Sequence, residues 1–372
     1  MRSVRWRVTG KCLKLVAIAC GLILAAVAQK HKKDENQVLQ LPKELPTAVE
    51  GDTRRLTFFV TPLSSKGLLS RQVHDAIGAL THEAKGDPIL KIRAFVAGSG
   101  DARRVRDLVS EAFSDHKQAL PVLSLIQAGE LPEGASVVLE AIGEARREVN
   151  PQGLAFVSAQ RAESDDPMAR VAPLAGKSLA ALGLAVKAAG SEPADVVRVS
   201  CFLSSLDEVA AIRKLVEQGY PGAAADFVQP QRAPVHGLAA CEAVAKLRSD
   251  PGKPLTLLDP SELTAIPGTS EVALVGALKV VLTGTQVSFG YEEKDARLAF
   301  QRVEKALEQS GASLHEVAFA HFYPLATGLA SQIAQLRGGF FDSARPPATS
   351  LLLFEGLPSM DAGFAMDVVA VK

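Results

Sequence analysis

Hydrophobic positions along this chain follow two patterns, and the same order of patterns occurs three times. Apolar runs of about four to eight residues predict strands, and longer amphipathic stretches that end at glycine predict helices. Each unit is predicted to hold a strand, a helix, a second strand, a second helix and a closing strand with an acidic residue. The first and second strands of the units are predicted at residues 56–60, 89–96, 154–157, 196–203, 280–283 and 317–323. Helices are predicted at residues 68–84, 101–115, 174–189, 292–310 and 329–337.

Local signals mark the predicted helix ends. Gly86, Gly190 and Gly311 follow a helix in each unit, and glycine is the usual residue just beyond a helix C-terminus. Asp101 is a suitable N-cap for the second helix of the first unit. Residues 205–208 resemble a capping box that would open the second helix of the second unit.

The distance along the chain from the helix-ending glycine to the closing acid is nearly the same in the three units. From the helix-ending glycine to the closing acid, the chain runs 54 residues to Glu140, 52 residues to Glu242 and 56 residues to Asp367. Unrelated segments would not keep this spacing, so it predicts a tandem triplication of a β-α-β-α-β module. The predicted fold class is α+β, with repeats at residues 55–148, 149–248 and 272–372.

Two stretches lack hydrophobic periodicity and are predicted to be linkers. The first is residues 29–54, which contain two prolines, and the second is residues 249–271, which contain four. Proline-rich stretches between periodic segments are typical of loops and spacers.

The first 28 residues differ from the rest of the chain. Five Lys and Arg residues precede an uncharged apolar run at residues 15–28, and Ala26-Val27-Ala28 forms a small-x-small cleavage site. This is the anatomy of a secretory signal peptide, because a membrane span usually needs about 20 apolar residues. We therefore expect an exported protein, either periplasmic or secreted.

An uncleaved N-terminal anchor is the alternative for residues 1–28. Lysines at positions 30, 32 and 33 disfavour cleavage just before them. Lipidation at Cys20 is disfavoured because the apolar run continues past it to Ala28. Any contact with a membrane is expected through this segment alone.

The composition argues against several classes of protein. The 372-residue chain is 47% hydrophobic, so it is not expected to be disordered. Its 41 basic residues balance its 41 acidic residues, and only 5% of residues are aromatic, so a nucleic-acid partner is not expected. The histidines show no metal-ligand spacing, and no nucleotide-binding or nucleophile-elbow motif occurs. We predict neither a metal nor a cofactor, and we interpret His321, on a predicted strand, as an ordinary packed or edge histidine.

Two of the four cysteines lie outside the N-terminal segment. Cys201 and Cys241 fall on predicted strands of the second unit. An oxidising compartment would permit a disulfide if their Cα atoms lie within about 7 Å, and two separate buried thiols are the alternative.

Short motifs recur at matching places in the three units. They are Gly284-Thr285-Gln286 and Gly311-Ala312-Ser313 in the third unit, Ser158-Ala159-Gln160 and Glu242-Ala243-Val244-Ala245 in the second, and Leu131-Pro132 and Glu140-Ala141-Ile142 in the first. These motifs resemble those of the RidA (YjgF-like) family of enamine/imine deaminases, whose members carry Ser-Gly-Gln, Gly-Ala-Ser and a closing signature of Pro-Ala-Arg, Leu-Pro and Glu-Ala-Ile-Ala. The resemblance spans about residues 56–372 and is closest in the third unit.

The resemblance implies a chorismate-mutase-like α+β module that associates as a trimer, with ligand clefts between neighbouring modules. Three such modules on one chain would form a single-chain pseudo-trimer, which we expect to be monomeric. Fusion of this kind replaces bimolecular assembly with docking at a high effective concentration. It also allows the three clefts to diverge.

The family's reaction depends on the arginine of Pro-Ala-Arg, which grips the carboxylate of a 2-imino acid. Leu123, Ala225 and Thr349 stand at the corresponding positions, so the arginine is absent from all three units. Arg345 and Arg232 are candidate substitutes, although each would require a shift of the chain relative to the motif.

The closing acids match the glutamate with which the family helps to place the attacking water. Carboxylates at strand ends that are solvated or bonded to neighbouring backbone are the alternative interpretation. We assign no catalytic residue. The candidate ligand-binding residues are Thr349, Ser350, Asp367, Glu140, Glu242, Gly284 and Arg345.

Two hypotheses about function follow from the sequence. The first is an exported, catalytically degenerate triple-RidA-like protein that binds a small molecule or a protein partner between its modules. The second is an active enamine/imine deaminase with a rebuilt cleft, in which Arg345 or Arg232 binds the substrate carboxylate. A purely structural module is the remaining possibility.

Overall fold

Three mixed β-sheets with helices on one face make up the α+β fold in the computed structural model, which describes residues 42–98 and 102–372. The first described strand, β1 (Ala48–Asp52), belongs to the third of these sheets. Lys43–Lys372 form one compact unit. The N-terminal segment of residues 1–28, predicted to be a signal peptide or an anchor, lies outside the described residues.

The first sheet has four strands. They are β2 (Leu56–Val60), β3 (Ile89–Ala97), β4 (Val122–Ala128) and β5 (Val137–Glu144), and the helices α1 (Leu69–Glu83) and α2 (Ala102–Asp115) lie between them in the chain. The strand order is β2-β5-β3-β4. The strands β3 and β4 are parallel, and β5 is antiparallel to β2 and β3.

The second sheet has six strands. They are β6 (Leu154–Ser164), β7 (Val196–Leu203), β8 (Ala224–Val228), β9 (Gly237–Lys246), β10 (Leu255–Leu258) and β11 (Val272–Val275), with the helices α3 (Val171–Ala188) and α4 (Val209–Gly219). The order is β10-β11-β6-β9-β7-β8, and β7 and β8 are the parallel pair.

The third sheet joins β1 to five later strands. They are β12 (Lys279–Thr283), β13 (Gln286–Phe289), β14 (Val317–Pro324), β15 (Ala348–Leu351) and β16 (Ala362–Val371), with the helices α5 (Glu293–Gln309) and α6 (Thr327–Leu336). The order is β1-β12-β16-β14-β15, and β13 pairs with β16. Here β14 and β15 are parallel.

The predicted helices are confirmed, with ends that differ by at most three residues among the described positions. Gly86, Gly190 and Gly311 end the first helices with φ of +84°, +73° and +71°, a left-handed conformation that glycine adopts without a Cβ penalty. The predicted N-cap, Asp101, lies outside the described residues.

The capping box predicted at residues 205–208 is wrong. Helix α4 begins at Val209, and no side chain caps it. Ser205 Oγ instead accepts a bond from the N–H of Asp207 within a turn, at 3.1 Å. The Glu208 carboxylate accepts a bond from the N–H of Ala172 at 3.1 Å, in the first turn of α3. Glu208 therefore caps the N-terminus of the neighbouring helix α3 instead of its own helix. The local sequence could not predict this contact, because 36 residues separate Glu208 from Ala172.

The two predicted linkers are corrected in part. Residues 48–52 of the first linker form β1, which pairs with β12 in the third sheet. Residues 255–258 of the second linker form β10, which pairs with β11. The four residues of β11, assigned to the third unit from sequence, pair with β6 of the second sheet. Both linker strands are four or five residues long and cover sheet edges, so they lack the long periodic pattern on which the prediction relied.

One described helix, α3, is long and apolar enough to cross a membrane by length and composition alone. Eight of its side chains are buried, among them Leu174, Leu182 and Val186, which pack in the core between α3 and the second sheet. This position is typical of a core helix in a folded domain.

The faces of the three sheets that carry no helix meet in a common interior. At one end of it, Phe156 of the second sheet packs on Phe319 of the third, with ring centroids 6.0 Å apart. At the other end, Phe95, Phe202 and Phe354 from the three parts of the chain pack at 5.8 Å from one another. Polar side chains occupy the space between these two apolar layers.

A disulfide joins Cys201 on β7 to Cys241 on β9, with the Cα atoms 4.2 Å apart. The N–H of Cys241 donates to Ser178 Oγ rather than to β7. The cysteines therefore form a non-hydrogen-bonded pair, the closer of the two kinds of antiparallel pair. The structure favours the disulfide over the two separate thiols that the sequence left open.

Replacing Cys201 and Cys241 with alanine should lower the free energy of unfolding by about 2–4 kcal/mol, because the bridge spans 40 residues of the unfolded chain. Urea unfolding with and without a reducing agent measures this effect. The reductant should destabilise the native protein and leave the double variant unchanged. Equal stability of the native and variant proteins would contradict the prediction.

Candidate functional site

Each sheet places three polar side chains side by side on its inner face. In every case the central residue lies on the middle strand, opposite an acid on one neighbouring strand and opposite a third polar residue on the parallel strand. The three sets are Ser124, Arg93 and Glu140, then Asp226, Ser200 and Glu242, then Ser350, His321 and Asp367. The three closing acids predicted from sequence therefore occupy matching places.

Arg93 connects the acids of the first two sheets. Its Nε and Nη2 donate to the two carboxylate oxygens of Glu140, each at 2.7 Å. The same Nη2 lies 2.8 Å from Glu242 Oε1 and 3.2 Å from Ser200 Oγ. Arg198 adds a second link, because its Nη1 and Nη2 lie 3.3 Å from Glu140 and from Glu242.

His321 connects the acids of the second and third sheets. Its Nδ1 lies 3.0 Å from Asp367 Oδ1, and its Nε2 lies 3.0 Å from Glu242 Oε1. Only a ring that is protonated at both nitrogens can donate to both carboxylates. The interpretation of His321 as an ordinary packed or edge histidine is therefore incomplete: it is buried, and it bridges two acids.

Asp367 is held by donors from two sheets. Lys91 Nζ of the first sheet lies 2.6 Å from its Oδ1, and Ser124 Oγ donates to its Oδ2 at 2.7 Å. Tyr323 of the third sheet donates to the same Oδ2 at 3.0 Å. Ser350 similarly donates to Glu242, at 2.5 Å. We call Lys91, Arg93, Glu140, Arg198, Glu242, His321 and Asp367 the central cluster.

Neighbouring cations keep the acids of the central cluster ionised. Burial would raise the pKa of Glu140, but the charges of Arg93 and Arg198 outweigh burial and lower this pKa to about 2. The pKa of Glu242 is likewise held well below its usual value, because Arg93 and His321 outweigh burial. Both carboxylates are therefore charged at neutral pH.

Burial and neighbouring charges also have opposite effects on the pKa values of Asp367 and Lys91. Burial raises the pKa of Asp367, and the charges of Lys91 and His321 overcome this and lower it well below the usual value. Burial lowers the pKa of Lys91, and Asp367 offsets only part of that effect. The ammonium group therefore depends on this one carboxylate for its charge.

Asp226 differs from the other buried acids. Neither of its carboxyl oxygens has a hydrogen-bond partner in the described part of the chain. Burial, followed by the negative charge of Glu140, raises the pKa of Asp226 well above its usual value.

The chemistry open to the three closing acids is limited. Glu140, Glu242 and Asp367 are 0–1% exposed, and fixed donors occupy their oxygens. A general base must reach the water that it activates within hydrogen-bond distance. These carboxylates instead bind the three sheets to one another.

The positions that correspond to the family's arginine each precede an inward-facing polar residue on a parallel strand. Their residues are Leu123, Ala225 and Thr349, which precede Ser124, Asp226 and Ser350. They therefore point to the opposite face of the sheet, away from the central cluster. Leu123 lines a cavity of about 450 Å³ between the first and third sheets, which we call the first–third cleft. Ala225 lines a cavity of about 620 Å³ between the first and second sheets, the first–second cleft.

Thr349 lies in a filled contact between the second and third sheets, which we call the second–third seam. Its hydroxyl is 2.8 Å from Thr269 Oγ1 and accepts a bond from Arg337 Nη1 at 3.3 Å. Arg337 also donates to the carbonyl of Pro267 at 2.6 Å, and burial lowers its pKa. Arg337 thus lies beside Thr349, the position of the missing arginine. Its guanidinium already donates to Pro267, a residue of the predicted linker.

The same seam contains a carboxylate of the chain itself. Ser158 Oγ and Gln160 Nε2 donate to Glu271 Oε2 at 2.5 and 2.7 Å. Glu271 is only 2% exposed. The residues of the Ser-Ala-Gln motif therefore bind an internal acid.

Two further candidates have different roles from those expected. A Cβ at Gly284 would lie 2.7 Å from the Leu123 carbonyl oxygen, so glycine is needed for close contact between the first and third sheets. Arg345 is exposed and pairs with Asp342 at 3.0 Å, and it lines neither the first–second nor the first–third cleft. Arg232 donates its backbone N–H to Glu355 at 2.9 Å.

The sequence analysis missed the cations of the central cluster. Lys91 and Arg93 alternate with apolar residues along the predicted strand at residues 89–96, which the structure buries. Arg198 and Ser200 have the same spacing on β7. A polar or charged residue at every second position of an otherwise apolar strand was the available signal, because such groups need partners on other strands when they are buried. No group of three or more potential metal-ligating side chains is found among the described residues.

No protein-family model matches this chain, and no curated protein sequence matches it. Among solved structures, the chain is similar to a Rid-family protein of unknown function from Yersinia pestis, at 16% identity and a TM-score of 0.31, over 32% of this chain and 100% of that one. It is also similar to a member of the YjgF/YER057c/UK114 family from Mycobacterium tuberculosis, at 22% identity and a TM-score of 0.24, over 32% of this chain and 99% of that one. RidA from a Psychrobacter species matches at 14% identity and a TM-score of 0.24, over 25% of this chain and 80% of that one.

Glu140→Gln should lower the free energy of unfolding by about 3–5 kcal/mol, because it leaves buried guanidinium groups without their counter-charge. Glu50→Gln is the matched control, since Glu50 pairs on the surface with Lys279 at 3.2 Å. The control should change stability by less than about 1 kcal/mol. Urea unfolding of the three proteins measures both effects, and a similarly small loss in both variants would contradict the role of the central cluster.

Stability should fall as the pH drops from about 4.5 toward 2. Glu140 titrates near 4.5 in an unfolded chain and near 2 in the folded protein, so the unfolded state binds more protons in this window. This group contributes at most about 1.4 kcal/mol per pH unit there. Urea unfolding across this range measures the effect, and constant stability down to pH 3 would contradict it.

Proposed function

We propose that this chain is an exported relative of the RidA/YjgF proteins that has lost the family's reaction and binds small organic molecules between its sheets. The motifs Gly284-Thr285-Gln286, Ser158-Ala159-Gln160 and Glu140-Ala141-Ile142 support the relationship. A protein partner at the same surfaces remains part of this proposal.

In this proposal, residues 55–148, 149–248 and 272–372 are degenerate modules of a monomeric single-chain pseudo-trimer. The register of the strands supports it, since Arg93, Ser200 and His321 each lie opposite a closing acid. Strands β1, β10 and β11 would then be additions that join one module to the sheet of another.

The proposed loss of activity depends chiefly on one observation, the burial of all three closing acids in the central cluster. Imine hydrolysis of the family type needs a guanidinium for the substrate carboxylate and an acid that can reach water. At the positions that correspond to the guanidinium, the chain has Leu123, Ala225 and Thr349. A neutral hydrogen bond from Thr349 contributes roughly 0.5–1.5 kcal/mol, against about 1.5–3 kcal/mol for a bond to a charged group.

Two open clefts could receive a ligand. Their volumes of about 620 and 450 Å³ lie within the range of small-molecule sites in proteins, roughly 300–1,000 Å³. The second–third seam is filled by Thr269, Glu271 and Arg337. Binding is therefore proposed in the first–second and first–third clefts.

The alternative of an active deaminase has less support. It requires Arg345 or Arg232 to bind a substrate carboxylate. Arg345 already pairs with Asp342 on an exposed turn. No polar arrangement in the described residues favours either arginine as a carboxylate clamp.

Export is supported by two features of the chain. One is the basic and apolar N-terminal segment, residues 1–28, either as a cleaved signal peptide or as an uncleaved anchor. The other is the disulfide between Cys201 and Cys241, since such bonds persist mainly in oxidising compartments. A periplasmic or secreted location is proposed on these grounds.

The purified protein should hydrolyse 2-iminopropanoate no faster than buffer alone, because the family's arginine is absent and the three closing acids are buried. Ammonia release from imine generated by an amino-acid oxidase measures the rate, with an active RidA-family enzyme as the positive control. Hydrolysis far above the buffer rate would contradict the proposal. Loss of that activity in Thr349→Ala would indicate that the reaction takes place at the position of the family's arginine.

A further inference from the structure

A short piece of the chain closes the second–third seam. Residues 267–271 follow β10 and precede β11, and we call them the plug. Residues 267 and 268 are exposed, and residues 269–271 are buried. Gly268 has φ of +72°, a left-handed conformation that glycine adopts without a Cβ penalty, so the chain can turn there from the surface into the seam. The plug fills this junction, whereas the other two junctions contain cavities of about 620 and 450 Å³.

Polar contacts fix the plug to the third sheet. The backbone N–H of Ser270 donates to the carbonyl of Pro347 at 3.1 Å, and Ser270 pairs with Ala348 in an isolated parallel bridge. Thr269 Oγ1 donates to the same carbonyl at 3.0 Å and lies 2.8 Å from Thr349 Oγ1. Since β15 is the last strand of this sheet, the plug lies along the edge of the sheet.

One carboxylate joins the plug to the second sheet. Ser158 Oγ and Gln160 Nε2, both on β6, donate to Glu271 Oε2 at 2.5 and 2.7 Å. Gln160 Nε2 also donates to Ser158 Oγ at 2.9 Å, so each donor helps to position the other. Hydrogen bonds to a carboxylate are stronger than bonds between neutral groups. The two donors on β6 therefore form a small receptor for one carboxylate oxygen.

Glu271 contacts these donors in the way that a separate ligand would. Both donors to its side chain are uncharged, unlike the guanidinium group of Arg93 that holds Glu140 in the central cluster. Its Oε1 is buried and has no hydrogen-bond partner in the described part of the chain. The carboxylate is therefore held through a single oxygen, and an acid of the same size could take its place without disturbing a larger network.

We propose that the plug is an internal ligand of the second–third seam, and that Ser158 and Gln160 form a binding site for a small carboxylate that Glu271 fills. The chain thus closes one of its three junctions with an acid of its own. Without the Cγ and carboxyl group of Glu271, the seam would hold a space that matches acetate. This inference goes beyond the proposed function, which places external ligands in the two open clefts alone.

Glu271→Ala removes the equivalent of acetate from the seam, so acetate should replace what the variant has lost. The melting temperature, Tm, of the variant should be lower than that of the native protein. Acetate at constant ionic strength should raise this Tm by about 2 °C when its concentration is about ten times its Kd. Acetamide has the same shape without the charge and should not raise it. Calorimetric titration with acetate should reveal a binding site that the native protein does not have.

Glu262→Ala is the matched control, because Glu262 is an exposed acid on the same predicted linker. Acetate should leave the Tm of this variant unchanged. Combining Ser158→Ala with Glu271→Ala removes one of the two donors from the site. The double variant should bind acetate about tenfold more weakly than Glu271→Ala does, as expected for the loss of a hydrogen bond to a charged group.

Circular dichroism provides the measurement if Glu271→Ala does not fold in buffer alone, since acetate and not acetamide should then restore the native spectrum. The inference would be overturned if acetate had no effect on the Tm or the folding of Glu271→Ala, or if acetamide acted equally well. Equal stabilisation of Glu262→Ala, or undiminished acetate binding by the double variant, would also overturn it. Imine hydrolysis would overturn the proposed function without changing any of these results.

Discussion

The ion pairs of Arg93 hold the interior of this protein together. One guanidinium meets Glu140 of its own sheet and Glu242 of the next, at 2.7 and 2.8 Å. Moving each of these charges out of water costs several kcal/mol, and only close, multiple contacts offset that cost. Two sheets that must present acids to the same guanidinium have little freedom to slide past one another. His321 extends the same constraint to the third sheet through Glu242 and Asp367.

The layers around the central cluster strengthen these interactions. Aromatic side chains close the interior on both sides, with Phe156 and Phe319 at one end and Phe95 and Phe202 at the other. Exclusion of water lowers the local dielectric, which strengthens satisfied ion pairs and penalises unpaired groups. Asp226 shows the second effect, because burial and the nearby charge of Glu140 raise its pKa well above the usual value. The three closing acids therefore contribute to the contacts that join the sheets.

The three sheets meet at three junctions. The three junctions differ in their charged residues. One is lined by Glu83, Glu133 and Arg213, one carries three arginines, and one is filled by Glu271 and Arg337. On a single chain these junctions can change separately, whereas three identical subunits would change all of them together.

The sequence by itself determined the local structure, because helix and strand periods, terminal glycines and the spacing of Glu140, Glu242 and Asp367 are properties of short segments. It also placed the three acids in matching positions. It could not show that Lys91 neutralises Asp367, since 276 residues separate them and many cations were available. Whether Cys201 meets Cys241, and which arginines face a cleft, likewise depended on how the strands pair and how the sheets pack. Only the tertiary structure decided these points, because burial and partner choice arise from contacts between distant segments.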